Sequence, residues 1–251
     1  MMNSNIHWFK DSLSAWETIN EMFLRHSPEL GAIEHSHALY VYDYVMGIEI
    51  PKLDPKFDFG RHFNYTMAKW KSLIANYIDF PELNKIKEEV TKEELKSKSR
   101  IYNLAIQFHN KHGHGKNCLL SMVFSHRACE EIPTISVFLR ASEVTKRLVC
   151  DLLLCQRIGE YVYGNKPFSL VIHFNQMFND DTVLLMYHAH KDIHKIIKPT
   201  TDRSKHLLST LDKLLTKNPA EVKYKVHRRA SKVLRPDLCK YPKTLAKDCK
   251  L

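Results

Sequence analysis

The stretch Arg140-Ala-Ser-Glu-Val-Thr-Lys-Arg-Leu-Val-Cys-Asp-Leu152 decides the fold, because it joins two elements of different periodicity. Residues 134–139, just before it, are rich in branched side chains and predict a strand. Residues 148–163, which begin inside it, are apolar on most sides and predict a buried helix that Gly164 ends. Residues 168–174 predict a second buried strand, so the middle of the chain has the order strand, helix, strand.

Further elements are predicted on both sides of this stretch. Residues 118–124 and 134–139 flank a turn-like segment with Pro133, so the two strands should pair as a hairpin. Other strands are predicted at 37–45 and 100–108, and helices at 12–25, at 65–98 with a break near Pro81, at 181–197 and at 204–215. We therefore predict an α+β fold, with a mixed sheet packed by helices.

The length and composition favour one large domain. The chain has 251 residues, 44% of them hydrophobic, which is enough to bury a core. We expect a domain at residues 1–198 and a basic helical extension at 199–251, because lysines and arginines are frequent there. No apolar run is long enough to span a membrane and the N-terminus lacks a secretory pattern, so we expect a cytoplasmic protein that contacts no membrane.

The net charge and the cysteine spacing limit the kinds of partner and site that the chain can have. The formal net charge of +10 favours an anionic partner, which could be nucleic acid, a nucleotide phosphate or a polyglutamate tail. The six cysteines form no C-x-x-C pair and no zinc-like spacing with the histidines, so no metal site is predicted. Thiols of a cytoplasmic protein stay reduced, which favours a nucleophilic role for any special cysteine.

Four residues of the quoted stretch share their spacing with a known motif. Arg140, Val144, Leu148 and Asp151 fall, without a gap, in register with an arginine-serine-x-aspartate-valine motif followed by asparagine or aspartate at the head of a helix. The chain therefore resembles the superfamily of thymidylate synthase and deoxycytidylate hydroxymethylase, over residues 100–181. The resemblance implies a thymidylate synthase-like fold and an enzyme that adds a one-carbon unit to C5 of a pyrimidine nucleoside monophosphate.

The resemblance gives roles to a cysteine, an arginine and a serine. Cys118 lies 22 residues before Arg140, where the family has the nucleophile whose thiolate adds to C6 of the pyrimidine. Arg140 would bind the nucleotide phosphate with two parallel hydrogen bonds. Ser142 follows Ala141, which stands where the family has a phosphate-binding serine. The alternatives are a small buried cysteine and a loop arginine paired with Glu143.

Base recognition and a contact across a dimer are implied in the same way. Asp151 stands where the family reads the pyrimidine edge, and an aspartate suits the N4 amine and N3 of cytosine when one proton is shared between ring and carboxylate. Arg100 lies 18 residues before Cys118, where family arginines reach the phosphate of the partner subunit in a homodimer. The alternatives are a helix-dipole charge for Asp151 and a solvated charge for Arg100.

Sugar recognition is the part of the resemblance where the residues differ most. Gln176 and Phe178 stand where the family has a histidine-x-tyrosine pair that binds the sugar hydroxyl. Phe178 has no hydroxyl group and Gln176 has no imidazole. His173 or Asn175 are therefore open alternatives for this task.

The general acid is assigned to Glu21, which has suitable apolar neighbours, and Glu34 is an open rival. The resemblance then implies a homodimer that uses 5,10-methylenetetrahydrofolate: Cys118 adds to C6, C5 attacks the methylene group, and deoxycytidylate is hydroxymethylated. Thymidylate synthase, which methylates deoxyuridylate, is the first alternative. The second is a catalytically degenerate relative that binds protein, or nucleic acid through the basic extension.

Overall fold

The computed structural model consists of one sheet with helices packed against it. It describes residues 6–35, 38–52, 74–75, 77–95, 101–108, 118–127, 130–145, 147–179, 181, 184–185 and 193–216. The strands are β1 (His7–Asp11), β2 (Ile33–His35), β3 (Ala38–Ile50), β4 (Tyr102–Gln107), β5 (Leu119–His126), β6 (Thr134–Leu139), β7 (Ser142–Glu143) and β8 (Ser169–Phe178). The helices are α1 (Ser12–Arg25), α2 (Phe80–Leu95), α3 (Leu148–Tyr163), α4 (Ile193–Ile196) and α5 (Asp202–Thr216).

The eight strands form a mixed sheet in the order β1-β3-β8-β6-β5-β4, with β2 beside β3 and β7 beside β8. β1 pairs parallel with β3, and both β6 and β7 pair parallel with β8. The other pairs are antiparallel. The predicted hairpin of β5 and β6 is confirmed, as is the coarser prediction of an α+β fold with a mixed sheet packed by helices.

Two helices have the bounds that the sequence predicts, α1 and α3. α1 begins at a capping box between Asp11 and Ser14 and ends at His26, whose φ of 51° places it in the left-handed region. α3 is buried on most sides and approaches the sheet closely at Gly159. A Cβ atom at that position would lie 2.4 Å from the ring of Phe168, so a larger residue there would push the helix off the sheet.

α1 also holds the loop that leads into α3. The indole N–H of the fully buried Trp16 donates a 3.0 Å hydrogen bond to the carbonyl of Val144. The side-chain amide of Asn20, one turn later, donates to the carbonyl of Trp16 at 2.8 Å. These contacts fix the short connection between β7 and α3 against the core.

The sheet face opposite α3 carries exposed aromatic side chains in the described part of the chain. Phe138 is 37% exposed and its ring stacks on His173 at 4.7 Å. Trp8 is 47% exposed and lies over Gly47, which pairs with Val171. Val171 and His173 are two residues apart on β8, so these side chains share one face. Within the described ranges, the sheet therefore has one face covered by α3 and an opposite face on which Trp8 and Phe138 are exposed.

α5 packs on the domain through a buried arginine. Arg203 is 1% exposed and pairs with Asp181 at 2.8 Å, while Leu207 on the same helix is fully buried. The first part of the predicted C-terminal extension therefore packs against the core, and residues 217–251 lie outside the described residues. No helix within the described ranges is long and apolar enough to cross a membrane.

Candidate active site

The candidate site lies at one end of the sheet, where β5 begins, β6 ends and α3 begins. The backbone N–H of Arg140 donates a 2.7 Å hydrogen bond to the carbonyl of Cys118, next to the Leu119↔Leu139 pair of the hairpin. Ser142 follows on β7, and Asp151 lies in the first turn of α3. The hairpin register thus brings together residues that are far apart in sequence.

The thiol of Cys118 is half-buried beside a tyrosine and an arginine. The backbone N–H of Cys118 donates to the hydroxyl of Tyr77 at 3.0 Å, and this hydroxyl also hydrogen-bonds to the thiol. The side chain of Arg140 forms a hydrogen bond with the thiol. Burial raises the pKa of the Cys118 thiol, and so does the charge of Asp151, whereas Arg140 and Arg147 oppose the shift. The thiolate therefore depends on these guanidinium groups.

Asp151 is held by a serine and titrates near neutral pH. The hydroxyl of Ser142 donates a 2.8 Å hydrogen bond to the Asp151 carboxyl. Burial raises the pKa of Asp151 to about 7, against the opposing effects of Ser142 and Arg147. Near pH 7 this carboxyl is present in both protonation states, so it can donate a hydrogen bond to a ligand as well as accept one.

Ser142 is buried, and its contact is with the carboxyl of Asp151. Its side chain is 2% exposed and its hydroxyl is bonded to the carboxyl. The sequence assigns Ser142 to substrate binding, but in this geometry its contact to a ligand runs through Asp151. Arg140, by contrast, is exposed and lies beside the thiol, where an incoming anion can reach it.

The structure does not bring Gln176 and Phe178 to the Ser142–Asp151 side of the sheet. Ser142 pairs with the buried Met177, and successive residues of a strand point to opposite faces. Gln176 and Phe178 therefore lie on the other face, where Phe178 stacks on Tyr40 with ring centroids 6.2 Å apart. His173 instead stacks on the exposed Phe138 at 4.7 Å, so among the described contacts neither the predicted pair nor this alternative joins Asp151.

The remaining predicted residues lie away from the cluster or outside the described residues. Glu21 is on α1, where its carboxylate pairs with Arg25 at 2.7 Å with 40% of its side chain exposed. Its rival Glu34 is exposed on β2. Arg100 falls outside the described residues, but Tyr102, two residues later, pairs with His126 at the end of the β4–β5 hairpin opposite to Cys118.

Sequence reasoning missed two members of the cluster, Tyr77 and Arg147. Tyr77 lies in a helical turn 41 residues before Cys118, and only the tertiary fold brings its hydroxyl to that residue. Arg147 did leave a signal. It precedes Asp151 by four residues at the start of a helix, and side chains at this spacing are neighbours. The backbone N–H of Asp151 donates to the Arg147 carbonyl at 3.0 Å, which places the two residues one helical turn apart.

Two comparisons with known proteins found no match. No protein-family model matches the sequence, and no curated protein matches it. Within the ranges that the structure describes, no group of three or more His, Cys, Asp and Glu side chains is arranged to hold a metal ion. The chemistry of the site therefore has to be inferred from the cluster itself and from the motif resemblance.

Proposed function

We propose that this chain transfers a one-carbon unit to C5 of a pyrimidine nucleoside monophosphate, with deoxycytidylate as the preferred substrate and a hydroxymethyl group as the unit added. One observation carries the proposal. A thiol, a guanidinium and a carboxyl, from Cys118, Arg140 and Asp151, meet at one end of the sheet, where β5 begins, β6 ends and α3 begins. These are the three groups that the reaction needs for the ring carbon, the phosphate and the base edge.

Cys118 has the role of nucleophile. Its thiolate adds to C6 of the ring, so a sulfur–carbon bond forms and the electrons of the C5–C6 double bond make C5 nucleophilic. C5 would then bond to the methylene carbon of the folate, lose its proton and release the folate amine, which leaves an exocyclic methylene group. Water adds to this group to supply the hydroxyl, the sulfur–carbon bond breaks and the C5–C6 double bond returns. The Arg140 side chain, hydrogen-bonded to the thiol, supports the charged form that this step requires.

Asp151 has the role of reading the base. In its protonated form the carboxyl donates to N3 of cytosine while its other oxygen accepts from the N4 amine. The pKa of about 7 makes this form available at neutral pH, and Ser142 fixes the direction of the carboxyl. Both properties favour a neutral, two-hydrogen-bond pair with cytosine.

Uracil is the second candidate base, and the same carboxyl favours it. A protonated Asp151 can also donate to O4 of uracil and accept from its N3–H, which would suit a thymidylate synthase. We rank cytosine first because its N3 is a more basic acceptor than O4 of uracil. An ionised Asp151 would leave O4 facing a second acceptor at a cost of about 1–3 kcal/mol.

The phosphate is assigned to Arg140 and, across a homodimer, to Arg100. Tyr102 lies five residues from Gln107 at the Cys118 end of β4, which is roughly 17 Å at about 3.4 Å per residue. Arg100 itself lies outside the described residues, and its reach to the site of a second chain rests on the resemblance. The open aromatic face of the sheet, which includes Trp8 and Phe138, offers that second chain an apolar surface.

Methylenetetrahydrofolate would supply the one-carbon unit. It has no motif of its own in the sequence, and the described cluster accounts only for the nucleotide. The net charge of +10 suits the anionic glutamate tail of a folate, although it also suits the nucleotide. The folate is therefore the part of the proposal that rests on resemblance alone.

Release of tritium from C5-labelled nucleotides tests this function. The wild-type chain with methylenetetrahydrofolate should release tritium from deoxycytidylate faster than from deoxyuridylate. Cys118→Ser should release none, and Cys150→Ala, at a buried cysteine of α3, is the matched control. Faster release from deoxyuridylate would favour a thymidylate synthase. No release from either nucleotide would favour the catalytically degenerate relative, which binds nucleic acid or protein.

A further inference from the structure

The backbone of Cys118 is held from two sides at the start of β5. Its register partner across the hairpin is Arg140, one residue beyond the Leu119↔Leu139 pair. The N–H of Arg140 donates a 2.7 Å hydrogen bond to the Cys118 carbonyl, whereas the N–H of Cys118 donates to the hydroxyl of Tyr77 at 3.0 Å. In a regular antiparallel ladder, two residues paired in this way exchange both of their N–H···O bonds. The Tyr77 hydroxyl therefore takes the place of a strand carbonyl, and the ladder ends at Cys118.

The Tyr77 hydroxyl can serve Cys118 as a donor as well as an acceptor. Its oxygen accepts the Cys118 N–H, so its own O–H group stays available as a donor, and the hydroxyl also hydrogen-bonds to the Cys118 thiol. A hydrogen bond donated to a thiolate is charge-assisted and stronger than one between neutral groups. The backbone N–H polarises the O–H group further, because hydrogen bonds in a chain strengthen one another. The hydroxyl of Tyr77 thus favours the thiolate over the thiol.

We propose that Tyr77 is a positioning residue for the nucleophile, whose hydroxyl accepts from the backbone N–H of Cys118 and donates a hydrogen bond to the thiolate of the same residue. The first bond fixes the backbone from which the sulfur projects, and the second stabilises the charged form. Both bonds are made by one hydroxyl, so they are gained or lost together. That the sulfur then adds to a pyrimidine rests on the proposed function, whereas the two hydrogen bonds do not.

The segment around Tyr77 is packed firmly enough to hold the cysteine. Ile74 is fully buried and Ile78 is 2% exposed, and the N–H of Ile78 donates to the Ile74 carbonyl at 2.8 Å. The chain then enters α2, where the ring of Phe80 meets the ring of Tyr161 on α3 edge to face, with centroids 5.9 Å apart. Tyr77 therefore belongs to a helical turn that is anchored in the core and against α3.

Alkylation of Cys118 by iodoacetamide, without any nucleotide, tests this role separately from the proposed function. The rate is followed from pH 6 to pH 11 on the Cys118 peptide by mass spectrometry, so that the other cysteines do not interfere. Tyr77→Phe keeps the ring and removes only the hydroxyl. It should raise the midpoint of the profile by about one pKa unit or more, the size expected for one hydrogen bond to a charged group.

The plateau of the same profile separates this role from a merely structural one. Above the midpoint the thiol is fully ionised, so the plateau rate reports access to the sulfur and not its ionisation. Tyr163→Phe is the matched control, because it removes a buried hydroxyl that lies 3.3 Å from that of Tyr102, at the opposite end of the β4–β5 hairpin. The control should leave the midpoint unchanged. A changed plateau with an unchanged midpoint in Tyr77→Phe would overturn the proposal.

Hydrogen exchange at the Cys118 amide, measured by NMR, tests the backbone bond. Tyr77→Phe leaves this N–H without its acceptor and should speed its exchange by about tenfold or more, whereas Tyr163→Phe should not. Unchanged exchange would overturn the proposal even if the wild-type chain releases tritium from deoxycytidylate. A shifted midpoint and faster exchange, in a chain that releases no tritium, would support the role of Tyr77 and reject the proposed function.

Discussion

The hydroxyl of Ser142 donates a 2.8 Å hydrogen bond to the carboxyl of Asp151, which joins the short strand β7 to the first turn of α3. A carboxyl held in this way presents its remaining hydrogen-bonding capacity in a fixed direction. It is also partly buried, and this burial raises its pKa to about 7. The same residue therefore carries a pH-dependent cost in folding free energy and, in the proposed function, contacts the base.

The raised pKa of Asp151 predicts how the free energy of unfolding changes with pH. Because the folded-state pKa of Asp151 is raised from 3.8 to about 7, its contribution to stability is fully present below about pH 4 and is lost as pH rises through 7. Asp151→Asn removes this dependence. Between pH 5 and pH 8 the free energy of unfolding of the variant should therefore gain about 2–3 kcal/mol relative to wild type, at about 1.36 kcal/mol for each of the two pH units between pH 5 and the folded-state pKa.

Urea unfolding at pH 5 and at pH 8 measures this difference. Asp202→Asn, at a carboxylate that is 92% exposed, is the control and should show the same change at both pH values. If Asp151→Asn also behaved identically at pH 5 and pH 8, Asp151 would have an ordinary pKa in the folded chain.

Substrate preference should follow the same carboxyl. Wild type should prefer deoxycytidylate over deoxyuridylate by about tenfold or more in kcat/KM, which is about 1.4 kcal/mol. Asp151→Asn should narrow or reverse the ratio and leave phosphate affinity unchanged, because an amide suits O4 and N3–H of uracil. Nucleotide affinity of wild type should fall above pH 7, as Asp151 loses its proton. An unchanged ratio in the variant would mean that Asp151 does not contact the base and is only a negative charge at the start of α3.

Arg140→Lys should weaken nucleotide binding by at least about 1.5 kcal/mol, because a lysine cannot form two parallel hydrogen bonds to a phosphate. Titration calorimetry with deoxycytidylate measures the loss. Arg127→Lys is the control, since Arg127 is also exposed but lies at the far end of β5. Comparable binding by Arg140→Lys and wild type would place the phosphate elsewhere.

Shared sites predict complementation between two inactive chains. Arg100→Ala and Cys118→Ser should each lack activity alone, but their heterodimer has one site with an intact cysteine from one chain and an intact arginine from the other. An equal mixture at random exchange should recover about a quarter of wild-type activity, since about half of the dimers are mixed and each has one good site. Heterodimers that form without any activity would place Arg100 outside a shared site.

Much of the fold was predictable because strong periodicity decides long elements. The apolar pattern of residues 148–163 predicted α3 and the amphipathic pattern of residues 12–25 predicted α1, both at their observed bounds. The hairpin of β5 and β6 was predictable from its turn residues. β7 was not predicted, because two residues carry no periodicity and its pairing with β8 depends on the tertiary fold.

Only those residues of the candidate site that are close in sequence, or joined by the hairpin, could be predicted to lie together. Arg140 and Asp151 share one stretch, and Cys118 joins them through the hairpin register, so their proximity follows from spacing. Tyr77 reaches Cys118 through a long-range contact that leaves no trace in the spacing. Gln176 was placed by motif alignment, which does not show that its strand neighbour Met177 takes the buried face.

The central claim is that Cys118 forms a covalent bond to C6 of a pyrimidine nucleotide. The most direct measurement is the intact mass of the denatured chain after incubation with 5-fluorodeoxycytidylate and methylenetetrahydrofolate, because fluorine at C5 blocks release of the adduct. Wild type and Cys150→Ala should gain the adduct mass, located on the Cys118 peptide, and Cys118→Ser should gain none. An adduct that persists in Cys118→Ser, or no adduct in wild type with either fluorinated deoxycytidylate or deoxyuridylate, would contradict the account.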